Sequence, residues 1–91
     1  MNKYTNNWIT AIDAAADKSW VRLVFETERD GEIVEINTEL WERNAKGVME
    51  LYNVEHGDEY SEAFNRLLSE QQQELIKAAM ENEDEHILFV A

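Results

Sequence analysis

Apolar residues recur along this chain with two different periods, and the changes of period divide it into segments. Between residues 5 and 17, Trp8, Ile12 and Ala15 follow one another at spacings of four and three, the repeat of one helical face. Thr5 or an Asn just after it supplies a cap, and Asp13 and Asp17 fall off the stripe. The pattern predicts a short helix held in place by packing of Trp8 and Ile12.

Residues 20–37 switch to a period of two. Trp20–Glu28 is rich in β-branched and aromatic residues, and Glu32–Asn37 returns after Arg29-Asp30-Gly31. An Asp-Gly pair between two such runs predicts a tight hairpin. Val21, Leu23, Phe25 and Thr27 share one face of its first strand, and Val34 and Ile36 form the expected apolar face of the second.

Residues 38–54 fit two patterns. In the preferred one, Thr38 or Asn37 caps a helix lined by Trp41, Ala45, Val48 or Met49, and Tyr52, with Gly47 costing it about 0.5–1 kcal/mol. In the other, a short helix ends near Gly47 and Val48–Val54 is a strand. After a loop at 56–59, Tyr60, Phe64, Leu67 and Leu68 are spaced for one helical face. Ser69, with Gln72 three residues on, then starts a second helix buried through Leu75, Ile76, Ala79 and Met80. The apolar run 86–91 completes the chain as a third strand, docked on the hairpin so that it is not left as a free edge. These elements predict an α+β domain covering residues 1–91, in the order α-β-β-α-α-β. A small, mainly antiparallel three-stranded sheet (hairpin 20–37 plus strand 86–91) packs against three or four helices.

Composition alters the picture chiefly through charge. Twenty acids face eight bases, a formal net charge of −12. Residues 1–48 hold nine acids and six bases, whereas residues 49–91 hold eleven acids and only Arg66 and Lys77 as bases. A field this one-sided acts on partners and association rates rather than on fold. It disfavours direct binding to nucleic acid or anionic lipid. A hydrophobic fraction of 44% is enough for a core. With no Cys there is neither a disulfide framework nor a thiolate metal site. No signal-like or membrane-length apolar run occurs, so the expected location is cytoplasmic.

Catalytic and metal chemistry find little footing. His56 and His86 are too few for a zinc site, which takes about three or four protein ligands. The acidic run 81–85 lacks the alternation and central Gly of a calcium loop. Ser19, Ser61 and Ser69 stand in no nucleophile elbow, and Gly31, Gly47 and Gly57 form no phosphate-cradling cluster. The carboxylates read as solvated surface groups, without the apolar pocket that would separate their pKa values for acid–base work. The expectation is a non-enzymatic protein without cofactor or metal.

What remains is a binding surface. Glu50, Glu55, Asp58, Glu59 and Glu62 form one acidic cluster, Glu81, Glu83, Asp84 and Glu85 another, and the hairpin carries Glu26 and Glu28 among others. Glu26 and Glu28 project from one face of a strand ~6.6–7 Å apart, near the spacing of phosphates along a nucleic-acid strand. Trp8 and Trp20 read as core. Trp41 is the Trp expected to reach the surface, because it adjoins Leu40, and Tyr52 and Tyr60 flank the acidic loop as further anchors. A charge of −12 exceeds the ~2–8 usual for a small domain.

In size, charge and lack of motifs the chain resembles, as a class, the acidic inhibitors that phages and mobile elements direct against host nucleases and defence complexes. That resemblance implies docking on a basic surface of a larger protein, such as a nucleic-acid-binding protein or nuclease complex, by imitation of nucleic acid. The rival readings are an immunity protein or antitoxin that neutralises a basic toxin, and a homo-oligomeric accessory protein whose dimer forms through its last strand. Crowded carboxylates repel, so added salt is expected to stabilise the fold. A melting temperature that stayed flat between low and moderate salt would contradict that expectation.

Overall fold

The computed structural model of the chain describes residues 6–54 and 62–89. It consists of β1 (Asn6–Ala14), β2 (Trp20–Arg29), β3 (Glu32–Arg43), β4 (Met49–Val54), α1 (Glu62–Asn65), α2 (Ser69–Glu81) and β5 (Ile87–Phe89). The strands form a single antiparallel sheet in the order β4-β3-β2-β1-β5, and the core lies between one of its faces and the two helices.

The architecture corrects the three-stranded expectation. Residues 6–14 are strand, not helix, because β1 registers with β2 from Asn6↔Glu28 to Ala14↔Val21. Ile9 and Ala11 point inward while Trp8 and Thr10 point outward, a period of two carried by residues other than the Trp8, Ile12 and Ala15 that fit a helical stripe. Ile12 is the extra residue of a bulge, which displaces it from that alternation.

The preferred helix over 38–54 is likewise absent. β3 runs on to Arg43, since all of β2 needs a partner: Val21 pairs with Trp41 and Trp20 with Glu42. At ~3.3 Å per residue, a strand of this length approaches 40 Å, close to the 43 Å long axis of the chain. Gly47 adopts a φ of 83° in a turn rather than interrupting a helix. Asn44 closes that turn by accepting at Oδ1 from the amides of Lys46 (2.9 Å) and Val48 (3.0 Å). Strand β4 follows, which agrees with the alternative reading of 48–54, although no short helix precedes it.

The hairpin at Asp30-Gly31 forms as expected, with φ of 54° and 83° at its two central residues, a combination suited to the twist of the strands. Val21, Leu23, Phe25 and Thr27 are all buried on one face. Val34 and Ile36 are not the apolar face of β3: Val34 is the extra residue of a bulge and Ile36 is 60% exposed. The inward residues are Asn37, Glu39 and Trp41, set opposite Phe25, Leu23 and Val21. The last strand pairs with β1 at the sheet edge, not with the hairpin.

The break between two helices near residue 68 is present. Gln71 Oε1 accepts from the Leu68 amide (3.0 Å), so the capping interaction lies one residue before the expected Ser69–Gln72 pair. Ile76, Ala79 and Met80 are buried and Leu75 half-buried. Gln73 reaches β4, where its side-chain amide both accepts from the Met49 N–H (3.0 Å) and donates to the Met49 carbonyl (2.9 Å). It thereby ties α2 to the sheet edge and satisfies one edge peptide.

Phe64 is fully buried at the centre of an aromatic cluster, 4.8 Å from Phe25 and 5.8 Å from both Trp41 and Phe89 between ring centroids. Edge-on contacts of this kind add to what burial alone contributes. Phe64→Ala is expected to cost roughly 3–5 kcal/mol in denaturant unfolding, and Phe64→Leu about 1–1.5 kcal/mol. A loss below 1 kcal/mol for the Ala variant would mean that α1 does not hold the core closed.

Candidate functional site

Both helices lie on one face of the sheet, so the other face has no second layer among the described residues. Strand register assigns its composition. Leu88, Trp8, Glu26 and Ile36 stand side by side on β5, β1, β2 and β3. At ~4.8 Å between neighbouring strands, this row spans about 14 Å. Thr10, Val24 and Thr38 form the next row, Arg22, Leu40 and Asn53 the next, and Trp20, Glu42 and Glu50 the last. The middle of the face is closed by its own large side chains, and Leu88 and Ile36 at the ends of the first row are more than half exposed.

Charge on this face is unevenly satisfied. Glu26 is largely enclosed; one carboxylate oxygen lies 3.5 Å from His86 Nε2, and the other is buried without a hydrogen-bond partner among the described residues. The His86 ring packs on Trp8 at 5.9 Å. Glu28 Oε1 accepts from Asn6 Nδ2 at 2.6 Å. Glu42 and Glu50, by contrast, are exposed and directly opposite each other. Like charges in that relation repel, and a cation shared between them would relieve the repulsion.

Of the residues that the sequence marks for partner contact, register thus puts Glu26, Glu28 and Glu50 on this face, with Glu50 about 20 Å along β3 from Glu26. Glu81, Glu83, Asp84 and Glu85 are exposed at the end of α2 and in the loop after it. Tyr52 is 66% exposed at a β-bulge on the edge strand. Trp41 is 6% exposed, and its ring stacks edge-on against Phe64 in the core rather than facing a partner. Glu62 opens α1, and Glu55, Asp58, Glu59 and Tyr60 lie outside the described residues. Sequence reasoning missed Trp8, Leu88, Ile36 and Glu42 as surface-forming residues. All four follow from strand register.

One carboxylate departs from the reading of solvated acids. Glu39 is fully buried on the helix-covered face, with Leu23 opposite it on β2. Loss of water pushes its carboxyl up from the ordinary 4.5 to about 7, against the opposing effect of hydrogen bonds from Trp41 and Asn65. The Trp41 indole N–H donates to Oε1 at 3.0 Å, while Oε2 is buried without a hydrogen-bond partner among the described residues.

Among the described residues, no group of three or more His, Asp or Glu is placed to hold a metal ion, and no helix is long and apolar enough to cross a membrane. Comparison with protein-family models, with curated proteins and with solved structures finds no match to this chain.

Glu39 makes stability depend on pH in a defined direction. The unfolded chain releases this proton near 4.5 and the folded chain near 7, so folding takes up a proton between those values. Its contribution is greatest below the lower value and is lost as pH rises through the upper one, about 3 kcal/mol in all. Glu39→Gln should flatten this component in unfolding measurements from pH 5 to 8, while repulsion among surface carboxylates stays common to both proteins. Parallel profiles for variant and wild type would contradict the assignment.

Proposed function

We propose that this chain is a small, acidic, non-enzymatic binding protein that docks on a basic surface of a larger protein through the uncovered face of its sheet. The observation that supports the reading is the presence on one face of an apolar row and, about 20 Å further along β3, of the opposed carboxylates Glu42 and Glu50. Apolar contact from Leu88, Ile36 and the edge of Trp8 would supply the desolvated centre of an interface. The carboxylates would meet cations at its rim and hasten association.

The same geometry favours a sheet-face contact over a track of phosphate-like charges on β2. Glu26 is engaged with His86 and Glu28 with Asn6, so neither stands as a free charge at phosphate spacing. Inhibition of a nucleic-acid-binding protein is one form of this function; neutralisation of a basic toxin is the other. Both place the partner's cations at Glu42 and Glu50, with the exposed acids at 81–85 adding long-range attraction.

The test is affinity capture from lysate with the full chain, compared with Ile36→Arg/Glu50→Lys on the uncovered face and with Glu70→Lys/Glu74→Lys on the exposed side of α2. A cation-rich partner should be recovered by the wild type and by the α2 variant. The sheet-face variant should lose it, and recovery should fall as salt rises. Binding indifferent both to salt and to the sheet-face substitutions would overturn the proposal.

A further inference from the structure

The β1–β2 turn, the end of β3, the start of β4 and the last turns of α2 enclose a cavity of about 460 Å³. That volume falls within the ~300–1,000 Å³ of small-molecule sites. Its composition is the reverse of the chain's. Lys18, Arg43 and Lys77 stand around it, with Glu81 the carboxylate in its wall; Asp17 near Arg43 is held below the usual carboxylate range chiefly by hydrogen bonds from Ser19 and least by the Arg43 charge. Met49 and Met80, both buried, form its apolar floor.

The fold fixes two of these cations. Arg43 donates through Nε and Nη2 to the Lys18 carbonyl (3.3 and 3.1 Å) and through Nη1 to the Gly47 carbonyl (2.9 Å). Lys18, at a φ of 62°, extends its ammonium to the Met80 carbonyl at 3.3 Å. These bonds orient the groups without exhausting them, since a guanidinium has five N–H donors and an ammonium three. Among the described residues the Lys77 ammonium makes no hydrogen bond, and none of the three cations pairs with a carboxylate within 4 Å. In a chain with twenty acids and eight bases, three cations without ion pairs around one cavity form an arrangement that a bound anion would neutralise.

The geometry points to this cavity as a binding site for a small amphipathic anion with a single charged head. Its carboxylate or phosphate head would sit between Lys18, Arg43 and Lys77, and its apolar body would lie on Met49 and Met80. Methionine side chains adapt readily to apolar ligands of varied shape. The negative end of the α2 dipole would oppose an anion here, but the Lys18 ammonium already covers it at Met80. Glu81 and the net charge of −12 limit the ligand's charge, which favours a single anionic head over a polyanion such as a nucleotide.

The test is an amide chemical-shift titration of the full chain with octanoate, octyl phosphate, octanol and inorganic phosphate. At least one of the two amphiphiles is expected to shift the amides of Lys18, Arg43, Met49 and Lys77, and the preferred head separates carboxylate from phosphate sources. Octanol and inorganic phosphate should bind about tenfold more weakly or worse. Lys77→Glu should weaken the amphiphile about tenfold and Glu81→Gln should strengthen it roughly two- to fivefold, an opposed pair of effects that simple loss of packing would not give. Lys77→Gln, which adds no negative charge, carries the same test if the Glu variant unfolds. Octanol binding as tightly as both anions, shifts gathered instead at Leu67, Leu75 and Leu88, or affinity unchanged by either Lys77 substitution would overturn the proposal.

Discussion

The burial of Phe64 is the contact on which the rest of the structure depends. A helix of four residues contributes one ring, and that ring meets Phe25 from β2, Trp41 from β3 and Phe89 from β5. The cluster joins the middle of the sheet to the last strand at its edge. α2 extends the same layer through Ile76, Ala79 and Met80, and Gln73 fastens it to β4. With so few helical residues, the described chain covers one face of five strands, and among the described residues the other is left to its own side chains. Phe64 therefore closes the core and, by placing both helices on one side, also leaves open the face offered for binding.

Scarce positive charge is used with economy in this acidic chain. No base lies in the last turn of α2, where Glu81 adds a charge unfavourable to the helix dipole. Lys18 corrects this from another element, and its left-handed backbone conformation lets the side chain reach Met80. Arg43 then holds the Lys18 carbonyl and the β3–β4 turn together. The same two contacts that stabilise this end of the molecule concentrate positive charge there, while the opposed Glu42 and Glu50 carry the negative charge of the sheet face. Separation of the two signs, rather than the net value of −12, is what gives the surface distinct regions.

How much was legible in the sequence follows from how local each signal was. The hairpin at Asp30-Gly31 and helix 69–81 were readable because turn chemistry and an apolar stripe specify them without reference to distant residues. β1 was not, because Trp8, Ile12 and Ala15 happen to fit a helical repeat while Ile9 and Ala11 fit an extended one, and pairing with β2 decided between them. Residues 38–43 extend for the same reason: β2 needs a partner along its whole length. Gly47 was counted as a cost to a helix when, beside Asn44, it marked a turn. For the surface, charge alone marked Glu26, Glu28 and Glu50, the first two of which are engaged with His86 and Asn6. Burial of Trp41 and Glu39, and the row from Leu88 to Ile36, depend on register between strands far apart in sequence, which no local pattern contains.

The edges of the sheet bear on whether association uses a face or a strand. An open edge invites pairing with another chain unless it is short, bulged, charged or capped. β4 has three of these features: a bulge opposite Leu40–Trp41, the charge of Glu50, and the Met49 peptide already bonded on both sides by Gln73. At the other edge lies β5, described over Ile87–Phe89. Edge-to-edge assembly is thus opposed at the β4 edge. The uncovered face has no such protection. It carries exposed aliphatic side chains at the ends of its first row and two unneutralised carboxylates at the opposite side. A surface that blocks strand addition while leaving an amphipathic face open is suited to a partner that brings its own apolar ridge and cations, and that partner chemistry differs from a second copy of this acidic chain.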